Sequence, residues 1–340
     1  MITAIPFAGG LALFLLSLTG MSRALGEVLS PRTRTVLTGA SVPAAFAFGA
    51  GATALLQSST LVSVTLVGLV SARAMGLAPA FAAVLGANVG TTITAQIAGF
   101  RPTWLGWIAA VAGLLLVGWA RAAARMRGGK ALRARARQQS LAGGAAMGFG
   151  GVVLGLDLMG QACSAVADSN TIRLVLTMAS GNTVLAAFAG VAVTAAVQSS
   201  ALVSSLLVEL TSGGLIALPG AVAMMIGSNV GTCITALLAS VPAGDDAKAL
   251  ARANIIFNLV GAGIFLPLIG PVCQALRLTS PDSGVQLANA HTLFNLATAL
   301  LVLPFSRQFV AAVRGRRNQK ERFNHDYAAG NYARNRARPN

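Results

Sequence analysis

The sequence predicts an all-α polytopic membrane protein, built from two inverted-topology repeats with re-entrant or broken helices plus one extra C-terminal transmembrane helix. Composition, a repeat at a fixed offset and the placement of charge carry that expectation. The chain has 340 residues, 55% of them hydrophobic and only 10% charged, with a mean hydropathy of +0.72. A soluble domain of this length carries about a quarter charged residues.

Residues 2–22, 36–72, 74–100, 102–120 and 177–208 run without a single charge. A helix needs roughly 20 apolar residues to cross the hydrocarbon, so these are membrane segments. No basic residues precede the first run, which is expected to be a retained first transmembrane helix and not a cleaved signal.

Shifting the chain by 141 residues lays 51–98 on 192–239 without a gap, and 24 of those 48 positions are identical. Gln57-Ser58-Ser59 falls on Gln198-Ser199-Ser200, and Gly86-Ala87-Asn88-Val89-Gly90-Thr91 falls on Gly227-Ser228-Asn229-Val230-Gly231-Thr232. Apolar low-complexity sequence matches itself by chance at Ala, Leu and Val. Gln, Asn, Ser and Thr in register across two hydrophobic runs do not, so the repeat is real.

The apolar segments of the first unit fall near 2–20, 42–70, 75–98 and 103–120. Their counterparts fall near 141–160, 182–208, 215–240 and 251–276, followed by the extra helix near 286–305. The expected partition is a first repeat over 1–120, a basic linker over 121–140 and a second repeat over 141–276. The extra helix then occupies 277–306 and a basic tail 307–340.

The formal net charge is +16, and the stretches 121–137 and 307–340 carry +7 each. Basic runs beside apolar helices are what cytoplasmic segments carry. They suit anionic headgroups of membrane lipids and give no support to nucleic-acid binding. With linker and tail both inside, each unit makes an odd number of crossings, and tandem copies of such a unit have opposite orientations. Four apolar segments with odd parity leave one that re-enters, and the long polar-dotted run holding Gln57 or Gln198 is the candidate.

Cys163, Cys233 and Cys273 form no CxxC or metal-ligand spacing, which argues against a disulfide framework or zinc site. His325 sits in the polar tail. The chemistry therefore rests on the two polar clusters. Each Gly-x-Asn-x-Gly-Thr run is a poor helix interior, each Gly costing about 1 kcal/mol relative to Ala, and is a place to unwind a helix. Helix breaks in inverted repeats are how secondary transporters build a midplane site. Free N–H groups at half-helix N-termini suit an anion, and amide, hydroxyl and backbone oxygens suit a hard monovalent cation. The alternative for any one cluster is close helix packing and interhelical glue, a reading weakened when both halves carry the cluster.

Paired Gln-Ser-Ser motifs in an inverted repeat resemble the type II sodium–phosphate cotransporters. Phe257-Asn258 and Phe294-Asn295 look like their bacterial branch. The resemblance extends to about Phe305 and implies a symporter of inorganic phosphate with sodium as coupling ion, not an enzyme, in the plasma membrane. Matched residue by residue, Gln57, Ser58, Ser59 and Thr60 belong to the first motif, and Gln198, Ser199 and Ser200 to the second. Asn88, Thr91, Asn229 and Thr232 join them as substrate- and ion-binding candidates. Sodium ligands are expected among Gln57, Ser59, Gln198, Ser200, Asn88 and Asn229. Ala201 stands where the family usually has a hydroxyl, and about 30 polar residues stand where many bacterial members carry a regulatory helical domain. A carrier of another oxyanion, a phosphate exporter and an anion channel are the competing readings. A serine enzyme is disfavoured, because no His or Lys base lies near either motif.

Asp157 and Glu209 lie within apolar regions but outside the repeated pattern, and Glu209 is near a helix end from which it can reach water. Arg73, Arg101, Arg173 and Arg277 all fall at edges or loops, so an anion site has no bidentate Arg clamp. His291 is four residues before Asn295 and on the same helix face. It is expected to be a packed or hydrogen-bonded structural residue.

Overall fold

The computed structural model describes residues 4–37, 40–125, 130–166 and 181–314. Arg173, His325 and the tail beyond Arg314 lie outside them. All regular structure among the described residues is helical. In chain order the helices are α1 (Ala4–Leu37), α2 (Val42–Leu56), α3 (Ser59–Ser71), α4 (Leu77–Phe100), α5 (Thr103–Arg125) and α6 (Lys130–Val166). They continue with α7 (Thr183–Val197), α8 (Ser200–Ser212), α9 (Leu218–Ser240), α10 (Asp245–Phe265), α11 (Ile269–Leu276), α12 (Ser283–Val302) and α13 (Ser306–Arg314). Short 3-10 turns at Leu266–Leu268 and Leu303–Phe305 each hold a proline, which tightens the chain without stopping it.

Among the described residues, seven stretches are long and apolar enough to cross a membrane: Ile5–Glu27, Leu77–Phe100, Thr103–Arg125, Ala131–Ala162, Leu218–Ser240, Asp245–Leu276 and Ser283–Arg314. The chain is a multi-pass membrane protein. α2, α3, α7 and α8 are apolar but too short to cross. They sit where the expected re-entrant segments fall, 42–70 and 182–208, each run being interrupted at its Gln-Ser pair.

The basic stretch 121–140 is largely helical, since α5 continues through Arg125 and α6 begins at Lys130. α6 packs between α1 and α5 along small residues. A Cβ on Gly155 would stand 2.7 Å from the Phe14 amide nitrogen, and one on Gly150 would stand 2.6 Å from that of Ala110. Close backbone approach through small residues is how membrane helices gain packing energy where water drives nothing.

The two Gly-x-Asn-x-Gly-Thr runs do not unwind their helices. α4 and α9 pass through them without interruption. A Cβ on Gly86 would meet the Phe46 carbonyl oxygen at 2.0 Å, and one on Gly227 would meet that of Ala187 at 1.9 Å. These glycines let α2 seat on α4 and α7 on α9 at matching positions 141 residues apart. The packing gain outweighs their low helix propensity.

The ends of α4 serve as markers. Beside its N-terminal end, Phe81 stacks on Phe309 of α13, ring centroids 5.0 Å apart. Beside its C-terminal end, Arg101 pairs with Glu209 of α8. α3 ends a short turn before Leu77, whereas α8 ends beside Arg101, so the two broken segments terminate at opposite ends of α4. Between them, α3 packs on α9 and α8 packs on α4.

Candidate functional site

Both breaks have one local geometry. α2 stops at Gln57, whose backbone is left-handed with φ 52°, and α7 stops at Gln198 with φ 56°. Left-handed backbone is uncommon for a residue with a side chain and concentrates at functional sites. Ser58 and Ser199 follow in extended conformation as N-caps, with Oγ accepting the N–H of Leu61 and of Leu202, each at 3.2 Å. Capping consumes one of the free amides of the new helix. Among the described residues, the N–H groups of Ser59 and Thr60, and of Ser200 and Ala201, have no acceptor. Each break therefore sets the carbonyl end of one helix against the amide end of the next, a partial negative pole beside a partial positive one.

The surroundings of the two breaks differ. Gln57 is buried; its Oε1 accepts from Thr94 Oγ1 of α4, and its Nε2 donates to the Ala54 carbonyl at 2.5 Å. Gln198 is exposed, and its side chain has no partner among the described residues. Ser59 and Ser200 are buried, while Ser58, Thr60 and Ser199 are half-buried.

The candidates on α4 and α9 also separate. Thr91 Oγ1 donates to the Ala87 carbonyl at 3.0 Å, and Thr232 Oγ1 to those of Ser228 and Asn229 at 3.0 and 2.8 Å. Both hydroxyl protons are thus spent on their own helices. Asn88 is half-buried, with an enclosed Nδ2 that has no acceptor. Asn229 is committed: Nδ2 donates to Asn295 Oδ1 at 3.1 Å, and Oδ1 lies 3.2 Å from His291 Nε2. No side-chain bond joins the two breaks among the described residues; what relates them is the packing of α3 on α9 and α8 on α4.

Three groups were not legible as partners in the sequence. Thr94 is one. Gln96 is another, its Nε2 donating to Thr292 Oγ1 at 2.8 Å and Asn289 Oδ1 at 3.2 Å on α12. The third is the buried set on α9 and α10, where Asn258 Nδ2 donates to the Asn254 carbonyl at 3.0 Å and faces Cys233 Sγ at 3.3 Å. Their side chains are of the polar intramembrane type that signals a site, but their partners lie on other helices.

Glu209 corrects an expectation. Its side chain is fully buried and does not reach water; Arg101 Nη2 meets its Oε2 at 2.6 Å. An ionised carboxylate in this position requires such a partner. Nearby, Asp157 accepts from Gln161 Nε2 at 2.9 Å, and Ser212 donates to Asp282 Oδ1 at 2.7 Å. Asp282 caps α12 and lies outside the spans. Burial alone would raise its pKa. The Ser212 hydroxyl, the amides of Val285 and Gly284 and the charge of Arg101 together hold it below the ordinary carboxylate value.

The described residues thus form a multi-pass helical membrane protein with two matched breaks inside apolar runs. The chain belongs to the Na+/Pi-cotransporter family, whose profile matches residues 13–161 and again 152–276. It is 32% identical over 290 residues to the putative inorganic phosphate export protein YjbB of Escherichia coli K12, an overlap of 84% of this chain and 50% of the relative. It is 30% identical over 257 residues to the uncharacterized protein YqeW of Bacillus subtilis 168, covering 76% of this chain and 79% of the relative. Over 101 residues it is 41% identical to the human sodium-dependent phosphate transport protein 2C, 28% of this chain and 16% of the relative. The chain thus spans about half the length of the phosphate export protein. No solved structure matches it significantly.

Proposed function

We propose that this chain is a secondary active symporter that moves inorganic phosphate together with sodium. Access would alternate to a midplane site formed by the paired Gln-Ser-Ser breaks. The observation that carries this reading is the shared geometry of the breaks: a left-handed Gln, a capping Ser and two unspent amides, present twice. The amides of Ser59, Thr60, Ser200 and Ala201 would receive phosphate oxygens as helix N-termini do. The Asn88 amide is a further donor within the same half. Among the described residues no arginine or lysine bonds to either break, so a co-bound cation would supply what a guanidinium supplies elsewhere. Carbonyls at the ends of α2 and α7 and the oxygens of Gln57, Gln198, Ser59, Ser200, Asn88 and Asn229 are its candidate ligands.

The two halves, 1–120 and 141–276, would be inverted repeats, with 277–306 as the added helix. Support comes from the matched packing of α2 on α4 and α7 on α9, and from broken segments that end at opposite ends of α4. The basic 121–140 and 307–340 would face the cytoplasm across the plasma (inner) membrane. Sodium entry would drive the cycle, with the membrane potential adding about 2.3 kcal/mol per net charge per 100 mV.

The test is radiolabelled phosphate flux in proteoliposomes holding the full chain, with an inward sodium gradient or with choline in place of sodium. Sodium-dependent uptake supports the proposal. Equal flux in choline removes the coupling, and no flux removes the substrate. The name of the Escherichia coli relative favours outward movement as a second reading. Preloaded vesicles that release phosphate without accumulating it under an inward sodium gradient would establish that direction.

A further inference from the structure

α12 presents polar groups to both halves of the molecule. Asn289 and Thr292 take the Gln96 amide of α4, while His291 and Asn295 meet Asn229 of α9. The second set has one consistent direction. The His291 backbone carbonyl can only accept, and Asn295 Nδ2 donates to it at 3.0 Å. That orientation makes Asn295 Oδ1 the acceptor of Asn229 Nδ2 at 3.1 Å. Asn229 Oδ1 must then be the atom 3.2 Å from His291 Nε2, and two acceptors cannot bond, so Nε2 carries the proton. His291 is 1% exposed and Asn295 fully buried. Asn229 is 7% exposed, and the enclosed His291 Nδ1 has no partner among the described residues.

We infer that His291 is a positioning residue that aims the Asn229 carbonyl oxygen. A carbonyl oxygen has two lone pairs; His291 takes one, and the other is left in a fixed direction for a cation. Among the described residues Asn88 has no such device, and its enclosed Nδ2 lacks a partner. The duplicated asparagines therefore divide the work, with Asn88 an uncommitted donor and Asn229 an oriented acceptor. This rests on the sodium-coupled reading above.

The experiment measures sodium and phosphate half-saturation in proteoliposomes for the wild type, His291→Leu, His291→Asn and His291→Gln. Leu removes the donor, Asn holds it too short, and Gln restores an N–H at similar reach. Leu and Asn should raise the sodium half-saturation roughly 3- to 10-fold, the worth of one hydrogen bond. Maximal rate and phosphate half-saturation at saturating sodium should stay near wild type, and Gln should recover sodium half-saturation to within about two-fold. A purely structural histidine would lower the amount of active protein and leave half-saturations alone, which overturns the inference, as does an unchanged sodium dependence in Leu and Asn. Wild-type flux without sodium dependence would instead remove the coupled reading and this inference with it.

Discussion

Gln57 and Gln198 hold the same backbone conformation in different surroundings, one bonded to Thr94 and buried, the other exposed. Their pairing was legible because a polar triplet repeated inside apolar runs has few other uses. Their inequality was not, because it depends on which helices close over each break. Glu209 makes the same point. Proximity to a helix end suggested water, but Arg101 folds back over it from the end of α4. Arg101→Gln should destabilise the protein by about 3 kcal/mol, the low end for a broken buried pair because Arg101 is partly exposed. Arg101→Gln with Glu209→Gln should recover much of that loss. Thermal unfolding in detergent measures both, and equal losses in the single and double variants would contradict the pairing.

At the scale of the element, the glycine-rich runs show where sequence reasoning went astray. Low helix propensity suggested unwinding at Gly86 and Gly227, yet in a membrane the same residues let backbones touch. Gly86→Ala should sharply reduce folded protein, since its Cβ would stand 2.0 Å from the Phe46 carbonyl oxygen. Gly68→Ala, with nothing within 4 Å, should be neutral or stabilising by up to about 1 kcal/mol. Yield of monodisperse protein separates these outcomes. The cap of α12 is a second case. Asp282→Ala should cost about 1 kcal/mol through the lost cap. Because the folded pKa of Asp282 is depressed, the charged part of its contribution is complete above the unfolded value of about 3.9. It is lost as pH falls through the folded value. The difference in unfolding temperature between wild type and Asp282→Ala should therefore be constant above about pH 5 and shrink on acidification.

For the whole molecule, apolar run length and the repeat were enough to anticipate membrane-length helices and two interrupted segments, because bilayer thickness sets how long an apolar helix must be to cross. The sequence did not disclose which helices α12 joins. α12 bridges Gln96 of α4 and Asn229 of α9 through polar groups whose partners are long-range choices. The central claim is that both breaks form one site. It is tested most directly by sodium-driven phosphate flux in proteoliposomes of Gln57→Ala, Gln198→Ala and the double variant. One shared site predicts that each single change lowers flux at sub-saturating phosphate at least about 10-fold, and that the double change adds little, as for residues acting as a unit. Independent effects that multiply in the double variant, or a single variant with wild-type flux, would contradict it.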